Sequence, residues 1–379
     1  MKKNIENVIL IILILIIHVL TFAKENTFQQ VPPNQILKNI SISPMIFNPS
    51  KSERVIIHYQ LLKDSEVTLK IWDFNHHLIK TLIKSQKRKN GYQEEKWNGK
   101  DDYNTIVPDG VYYFTFITSN DEVKNFLLSP EKKTESEYIA SIDYKLIRDP
   151  DSKEYYLLKY SLPSTSYVRI RAGIKEGPLY NTILNWEPRV AGEHVEKWDG
   201  KDILKTMFFA EHPQCTFLIE AITLPENTII TMGNRLPLGK YERKISKKVR
   251  EINSFNLTNP FYKNIMFLKK YCENPKINIS ISNNHNFTKN NIKIINNKVK
   301  INLEMNKGYP KELNGERSEI LIYFDHELFM EEEQGYFPYC FELDTTQYSN
   351  GEHILAVNVR LYNDNYGLGC KKVYILNQE

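Results

Sequence analysis

Glycine is scarce in this chain, 15 among 379 residues, and the composition is that of a globular protein. Cysteine is scarcer still. Its four residues include no Cys-x-x-Cys pair, and no histidine–cysteine cluster stands at ligand spacing, which argues against a zinc site. Gly-x-Ser-x-Gly, a Walker loop and His-Glu-x-x-His are all missing, so no motif of a serine hydrolase, a nucleotide-binding loop or a metalloprotease is present. Neither sign of charge dominates: 50 lysines and arginines face 46 aspartates and glutamates, and a net +4 makes no case for nucleic acid as a partner. Past residue 20 no apolar run is long enough to cross a bilayer.

What is there begins with an export signal. Lys2 and Lys3 precede an apolar run from Val8 to Leu20, and Thr21-Phe22-Ala23 follows with small residues where a signal peptidase reads. Residues 1–23 are expected to be a Sec-type signal that sends the body to the periplasm, the cell surface or the medium. An uncleaved anchor is the alternative, and would be the chain's only tie to a membrane. No cysteine stands at the cleavage point, so a lipoprotein anchor is not indicated. Four cysteines in an exported protein raise the question of disulfides. Cys340 and Cys370 both fall in the last domain and could pair, although four cysteines allow three connectivities. Cys215, in the strand-like Gln214-Cys-Thr-Phe-Leu-Ile219, reads as a buried free thiol.

The remaining length suits two or three domains, and 23 tyrosines and 18 phenylalanines favour strands over helices. One segment is written twice. Gly91-Tyr-Gln-Glu-Glu-Lys-Trp97-Asn-Gly-Lys-Asp101 recurs as Gly192-Glu-His-Val-Glu-Lys-Trp198-Asp-Gly-Lys-Asp202, 101 positions on. The shift holds upstream without a gap, placing Tyr59 on Tyr160, Leu61 on Leu162, Val67 on Val168 and Leu69 on Ile170. A period of about a hundred residues fits a tandem pair of small domains rather than a solenoid.

From Ile40 to Thr118 the pattern is of short strands and turns. Arg54–Leu61 and Glu66–Asp73 alternate, with Val67, Leu69 and Ile71 on one face. His77–Ile83 reads as a returning strand, Asn90-Gly91 and Pro108-Asp109-Gly110 as turns, and Val111–Ile117 as the closing strand. Short strands at this spacing predict a β-sandwich. The second copy repeats the plan until its end, where Phe209-Ala-Glu-His-Pro213 replaces the glycine turn and predicts a differently shaped hairpin.

This arrangement resembles the FlgD-like immunoglobulin domain, a module of flagellar hook-capping proteins and of the tails of secreted bacterial proteins. The residues that carry the resemblance are Trp97, Gly99, Asp101, Pro108, Asp109, Gly110 and Tyr112, then Trp198, Asp199, Gly200 and Asp202. The resemblance implies two immunoglobulin-like sandwiches, at residues 38–122 and 137–225. Asn48-Pro-Ser-Lys-Ser-Glu53 stands where the family usually has a glycine-bearing turn. Physically, a tryptophan beside Asn/Asp-Gly at a strand end can cover the open end of a sandwich, provided its indole N–H finds a partner. The glycine permits a positive φ, and the aspartate two residues on can bind backbone N–H groups of the next loop. The same tryptophans could instead offer their faces to a sugar.

Residues 226–275 read as a connector. It includes the basic stretch Lys240–Arg250 and an apolar segment, Asn259–Lys270. Strand patterns resume from Ile277, and residues 276–379 resemble a more generic bacterial immunoglobulin-like domain on Pro338, Tyr339, Phe341, Leu343, Asp344, Thr345, Gly351 and His353. Two acidic groups raise a chemical question. Asp149-Pro-Asp151 lacks the glycine and ligand spacing of a calcium loop. Asp325, Glu327 and Glu331–Glu333 form a charged hairpin with no pocket in which paired carboxylates could do acid–base work. His58, His76, His77, His194 and His353 are scattered over strands and turns.

The sequence therefore predicts an all-β, exported, non-catalytic chain of three tandem sandwiches, with no cofactor, metal or catalytic residue. Its expected work is that of a rod-like spacer or interaction module meeting an envelope or surface protein, through end loops or added strands. Two rivals stand beside it. One is a polysaccharide-binding adhesin or an accessory of a secreted hydrolase. The other is a hook-assembly protein, against which the Sec-type signal argues.

Overall fold

Alternation decides most of this fold. In Val55-Ile-Ile-His-Tyr-Gln-Leu61 every second side chain is buried, and the same holds for Ile277-Asn-Ile-Ser-Ile-Ser282. A chain that hides one face of each strand must lay two sheets together. The computed structural model describes residues 36–73, 77–119, 126–127, 138–234, 274–282, 288–289, 292–306, 317–361 and 366–377. The expected signal at 1–23, the basic stretch 240–250, the segment 259–270, His76 and Cys272 lie outside them.

The first sandwich contains β1 (Leu37–Ser43), β2 (Ile46–Phe47), β3 (Val55–Leu61), β4 (Ser65–Asp73), β5 (Leu78–Arg88), β6 (Gly91–Trp97), β7 (Gly110–Ser119) and β8 (Phe126–Leu127). The second contains β9 (Tyr138–Ile139), β10 (Tyr144–Arg148), β11 (Tyr156–Leu162), β12 (Ser166–Ile174), β13 (Leu179–Arg189), β14 (Gly192–Trp198) and β15 (Cys215–Thr223). The repeat is exact over four strands: β11 to β14 occupy the positions of β3 to β6 moved by 101 residues. Register follows, with Val55 opposite Trp97 in one copy and Tyr156 opposite Trp198 in the other. The offset does not extend to the strands before β11, and after β14 it breaks at β15, beyond the turn in which Phe209-Ala-Glu-His-Pro213 replaces the glycine turn.

The next strand departs from expectation. In sequence, residues 226–275 read as a connector, yet β16 (Thr228–Thr231) returns to the first sandwich. It lies antiparallel to β7 and parallel to β2, giving the sheet order β2-β16-β7-β4-β5, with β8 also on β7. The facing sheet is β1-β3-β6, and the second sandwich pairs β10-β11-β14 with β13-β12-β15-β9. Ile229 joins the first core, among Val55, Ile57, Leu69 and Trp97. The chain thus leaves the first sandwich, builds the second, and comes back to complete the first.

The third sandwich is formed by β17 (Ile277–Ser282), β18 (Thr288–Lys289), β19 (Ile292–Ile295), β20 (Lys298–Met305), β21 (Ser318–Phe324), β22 (Glu327–Gly335), β23 (Tyr339–Asp344), β24 (Gly351–Leu361) and β25 (Tyr366–Ile375). Its sheets are β17-β20-β23 and β18-β19-β25-β24-β21-β22. The acidic residues Glu331–Glu333 lie along the outer strand β22, and the hairpin turn is Asp325-His326. That corrects the reading of all five acids as one loop.

The Cys340–Cys370 pairing is also corrected: both are free thiols. Cys340 is exposed on β23, in one sheet. Cys370 sits on β25 in the other sheet and is buried against the second sandwich's core, so the two side chains point to different surroundings.

Candidate functional site

The repeated motif builds the same clip twice. Trp97 is fully buried, its Nε1 donating to the Lys100 carbonyl at 2.9 Å. Trp198 donates to the Lys201 carbonyl at 3.0 Å. Gly99 and Gly200 hold φ at 68° and 75°. A Cβ on Gly99 would lie 2.3 Å from Pro49 Cγ, and one on Gly200 would lie 2.4 Å from the Phe208 ring, so glycine is required for space as well as for φ. Asp101 accepts from the amides of Tyr103 and Thr105 at 2.9 and 2.8 Å. Asp202 accepts from Leu204, Thr206 and Met207. Asp199 matches Asn98, each accepting from the amide two residues on at 3.2 Å.

The tryptophan faces are spoken for. Trp97 meets Phe47 and Tyr112 edge-on at 5.7 and 5.4 Å, and Trp198 meets Phe209 and Phe217 at 5.0 and 5.3 Å. Neither ring presents a platform to a sugar.

Pro108, Asp109, Gly110 and Tyr112 form the dock for the returning strand. Tyr112 Oη donates to the Pro108 carbonyl at 2.8 Å, and Thr231 Oγ1 donates to that same carbonyl at 2.8 Å. The Asp109 carboxylate accepts from Gly233 N at 2.8 Å and Asn234 N at 3.1 Å, while Asn234 Nδ2 donates to the Val107 carbonyl at 2.6 Å.

The repeat also carries an ion pair that the motif reading missed. Arg88 reaches Glu95 at 2.7 Å beside Tyr59, and Arg189 reaches Glu196 at 2.9 Å beside Tyr160. Burial, then the Glu95 charge, pushes the Tyr59 phenol up to about 12.

Where the sandwiches meet, β12 is buried on both faces along its whole length. Val168, Ile170 and Ala172 enter its own core. Tyr167 turns the other way and packs with Trp186, Ile222 and Leu224 against Val111 and Ile230 of the first sandwich's sheet. On that outer face Arg169 makes a forked pair with Glu220, at 2.8 and 2.9 Å, and Arg171 adds a third bond at 2.9 Å. Tyr138 Oη donates to the same carboxylate. Arg169 lies 4.5 Å from the Trp186 ring centroid, and Arg171 lies 4.0 Å from that of Tyr366, on the third sandwich. Burial alone would raise the Glu220 carboxyl. The Arg169 hydrogen bond and both arginine charges outweigh it and hold the group below its ordinary range. One ion cluster thus stands between the second and third sandwiches.

The second and third sandwiches share a further seam. Asn358 Oδ1 accepts from Leu179 N and its Nδ2 donates to Leu179 O, both at 2.7 Å. Tyr180 Oη and His326 Nδ1 are hydrogen-bonded at 2.9 Å. Ala356 and Cys370 pack into the second core.

Arg169 and Arg171 alternate with apolar neighbours, which reads as a solvated face. The signal available was Glu220, a lone carboxylate in the apolar run Phe217-Leu-Ile-Glu-Ala-Ile222. Asp149 closes its own turn, accepting from Asp151 N at 3.0 Å and pairing with Lys197 at 3.1 Å. His353 pairs with Asp325 at 2.6 Å, and His77 with Asp73 at 2.9 Å. Among the described residues no group of three His, Cys, Asp or Glu side chains is placed to hold a metal ion.

These features define a class: an all-β protein of immunoglobulin-like sandwiches joined through buried sheet faces. No family model matches the chain, and no curated protein matches it. Among solved structures, the fibronectin(III)-like modules of Clostridium thermocellum CbhA align over 89% of this chain and 95% of theirs, at 8% identity and a TM-score of 0.20. A solved chain from a 1.5-MDa bacterial ice-binding adhesin aligns over 91% of this chain and 98% of that solved chain, at 12% identity and a TM-score of 0.19. A tetra-tandem repeat from the extending region of a large adhesion protein aligns over 90% and 75%, at 10% and 0.19. The class rests on the strand pairing within this chain, not on these superpositions.

Proposed function

We propose that this chain is an exported, non-catalytic interaction protein of the bacterial envelope or cell surface. Its first two sandwiches are read as FlgD-like on the two Gly-x5-Trp-Asn/Asp-Gly-Lys-Asp clips. The observation that carries the reading is that the chemistry-bearing residues are spent on the fold itself. Both motif tryptophans are packed and bonded to carbonyls, both motif aspartates bind backbone amides, and the Arg169–Glu220–Arg171 cluster is enclosed between sandwiches. Among the described residues, what remains for a partner is end loops and outer strands, the means by which sandwiches bind proteins. The outer strand β22, with exposed Leu328 and Phe329 followed by Glu331–Glu333, is the first of these surfaces to examine.

The test uses residues 24–379 as bait in envelope extracts, with captured proteins identified, purified and titrated directly against the bait. A specific protein partner, weakened by Leu328→Lys with Phe329→Lys, is the expected outcome. Binding confined to polysaccharide would overturn this reading in favour of an adhesin, and turnover of any substrate would overturn it in favour of an enzyme.

A further inference from the structure

The turn between β21 and β22 is two residues long, Asp325-His326, with φ of 50° and 74° at the two positions. From this two-residue turn the His326 side chain crosses to the second sandwich. His326 Nδ1 is 2.9 Å from the buried Tyr180 hydroxyl, and its ring centroid is 4.9 Å from that of His212. The backbone contact is close as well: a Cβ on Gly177 would lie 2.9 Å from the His326 carbonyl oxygen. Two imidazoles from different sandwiches therefore face each other across the seam, half-buried.

We propose that this seam is a pH-operated latch, closed while the His326 imidazole is neutral between Tyr180 and His212 and released when it takes up a proton. The surroundings offer little to offset the new charge. On its own turn His326 has Asp325, whose Oδ2 is already held by His353 Nδ1 at 2.6 Å and whose Oδ1 accepts from Ile354 N at 2.9 Å. From β13 it faces Tyr180, and from the turn before β15 it faces His212, whose Nδ1 accepts from Gln214 N at 3.2 Å. Beyond Tyr180 lie Asp202 and Cys370, and Lys175 and Glu176 flank Gly177 at exposed positions.

Asn358, Cys370 and Tyr180, the other groups that bridge the seam, do not change charge near neutrality. Asn358 does not ionise. Burial, then the Asp202 charge, pushes the Cys370 thiol up to about 12, and burial raises the Tyr180 phenol further. Burial, followed by the neighbouring His212, lowers His326 below the ordinary imidazole value, with Asp325 opposing. A base depressed in the docked state favours docking when neutral. Docking is therefore complete above about pH 6.5 and weakens as pH falls below it.

The Leu179 amide, bonded to the Asn358 side chain across the seam, reports the latch directly. Hydrogen exchange on the full chain, corrected for the intrinsic pH dependence of exchange, would follow it from pH 8 to pH 5, with Ile57 in β3 as the internal reference. Protection at Leu179 is expected to fall relative to Ile57 between pH 8 and pH 5, and to stay level in the double variant His212→Asn, His326→Asn. Asparagine tolerates the positive φ at 326 and still offers an acceptor to Gln214 N at 212. A level wild-type profile, or the same fall in the double variant, would overturn the latch. If the double variant fails to dock at any pH, His212→Asn alone decides, since it leaves the Tyr180 contact intact. A shallower fall supports the proposal and an unchanged one ends it.

Discussion

Asp202 and Asp101 occupy the same place in the two clips but carry different loads. Asp202 serves three backbone amides, Asp101 two. A buried donor left without an acceptor costs about 1–3 kcal/mol. Asp202→Ala should therefore lower the urea midpoint more than Asp101→Ala does, by the equivalent of one such bond. Equal shifts would mean that the Met207 contact contributes nothing. Glu220→Gln should be harsher, about 3–5 kcal/mol, because Arg169 and Arg171 would keep their charges in a closed space. Glu220 is depressed in the folded state, so its contribution is present above the ordinary carboxylate range and is lost as pH falls through and below it. Stability measured from pH 7 down to pH 3 should fall in the native chain, and the variant should lack that component of the fall. At this scale the clips were legible, because a tryptophan, a glycine and an aspartate at fixed spacing have few ways to satisfy one another. The ion cluster was not. Arg169 and Arg171 look solvated until one knows that Trp186 and Tyr366 cover them.

Among elements, β3 and β4 could be placed from alternation, and the 101-residue repeat carried β11 to β14 with β3 to β6, even though β12 is buried on both faces. β16 left no such trace. It is four residues long and buried on both faces, with Ile229 in the first core and Ile230 in the seam. Its sequence, Thr-Ile-Ile-Thr, is too short to distinguish a strand from a connector. Its removal should be felt far from its place in the chain. Burying an isoleucine is worth about 1.5–3 kcal/mol, so Ile229→Asp should unfold or strongly destabilise the first sandwich, lowering amide protection in β3 and β7. Unchanged protection there would show that the sandwich closes without its returning strand.

The whole molecule is not the string of separate beads that a tandem repeat suggests. Val111 and Ile230 of one sandwich pack with Tyr167, Trp186, Ile222 and Leu224 of the next, while Ala356 and Cys370 of the third pack into the second. Sequence periodicity counts the modules but does not say which outer faces are dry. That depends on residues such as Trp186, which has no counterpart under the 101-residue shift, where Ser85 stands. Trp186→Ala should cost about 3–5 kcal/mol and split the unfolding of the first two sandwiches, which should otherwise melt in one calorimetric transition. A native chain that already shows two separate transitions for them would contradict this coupling.

The returning strand also sets how the protein would bear load. β16 runs parallel to β2. A pull toward the N-terminus acts on β2 and a pull toward the C-terminus acts on β16, so tension slides the two strands past each other and strains their hydrogen bonds together instead of unzipping them singly. Everything between them along the chain, including the entire second sandwich, lies inside the loop they close. Stretched from residues 36 and 234, the second sandwich should carry no tension until that contact shears. Its extension would then follow in the same event as hidden length.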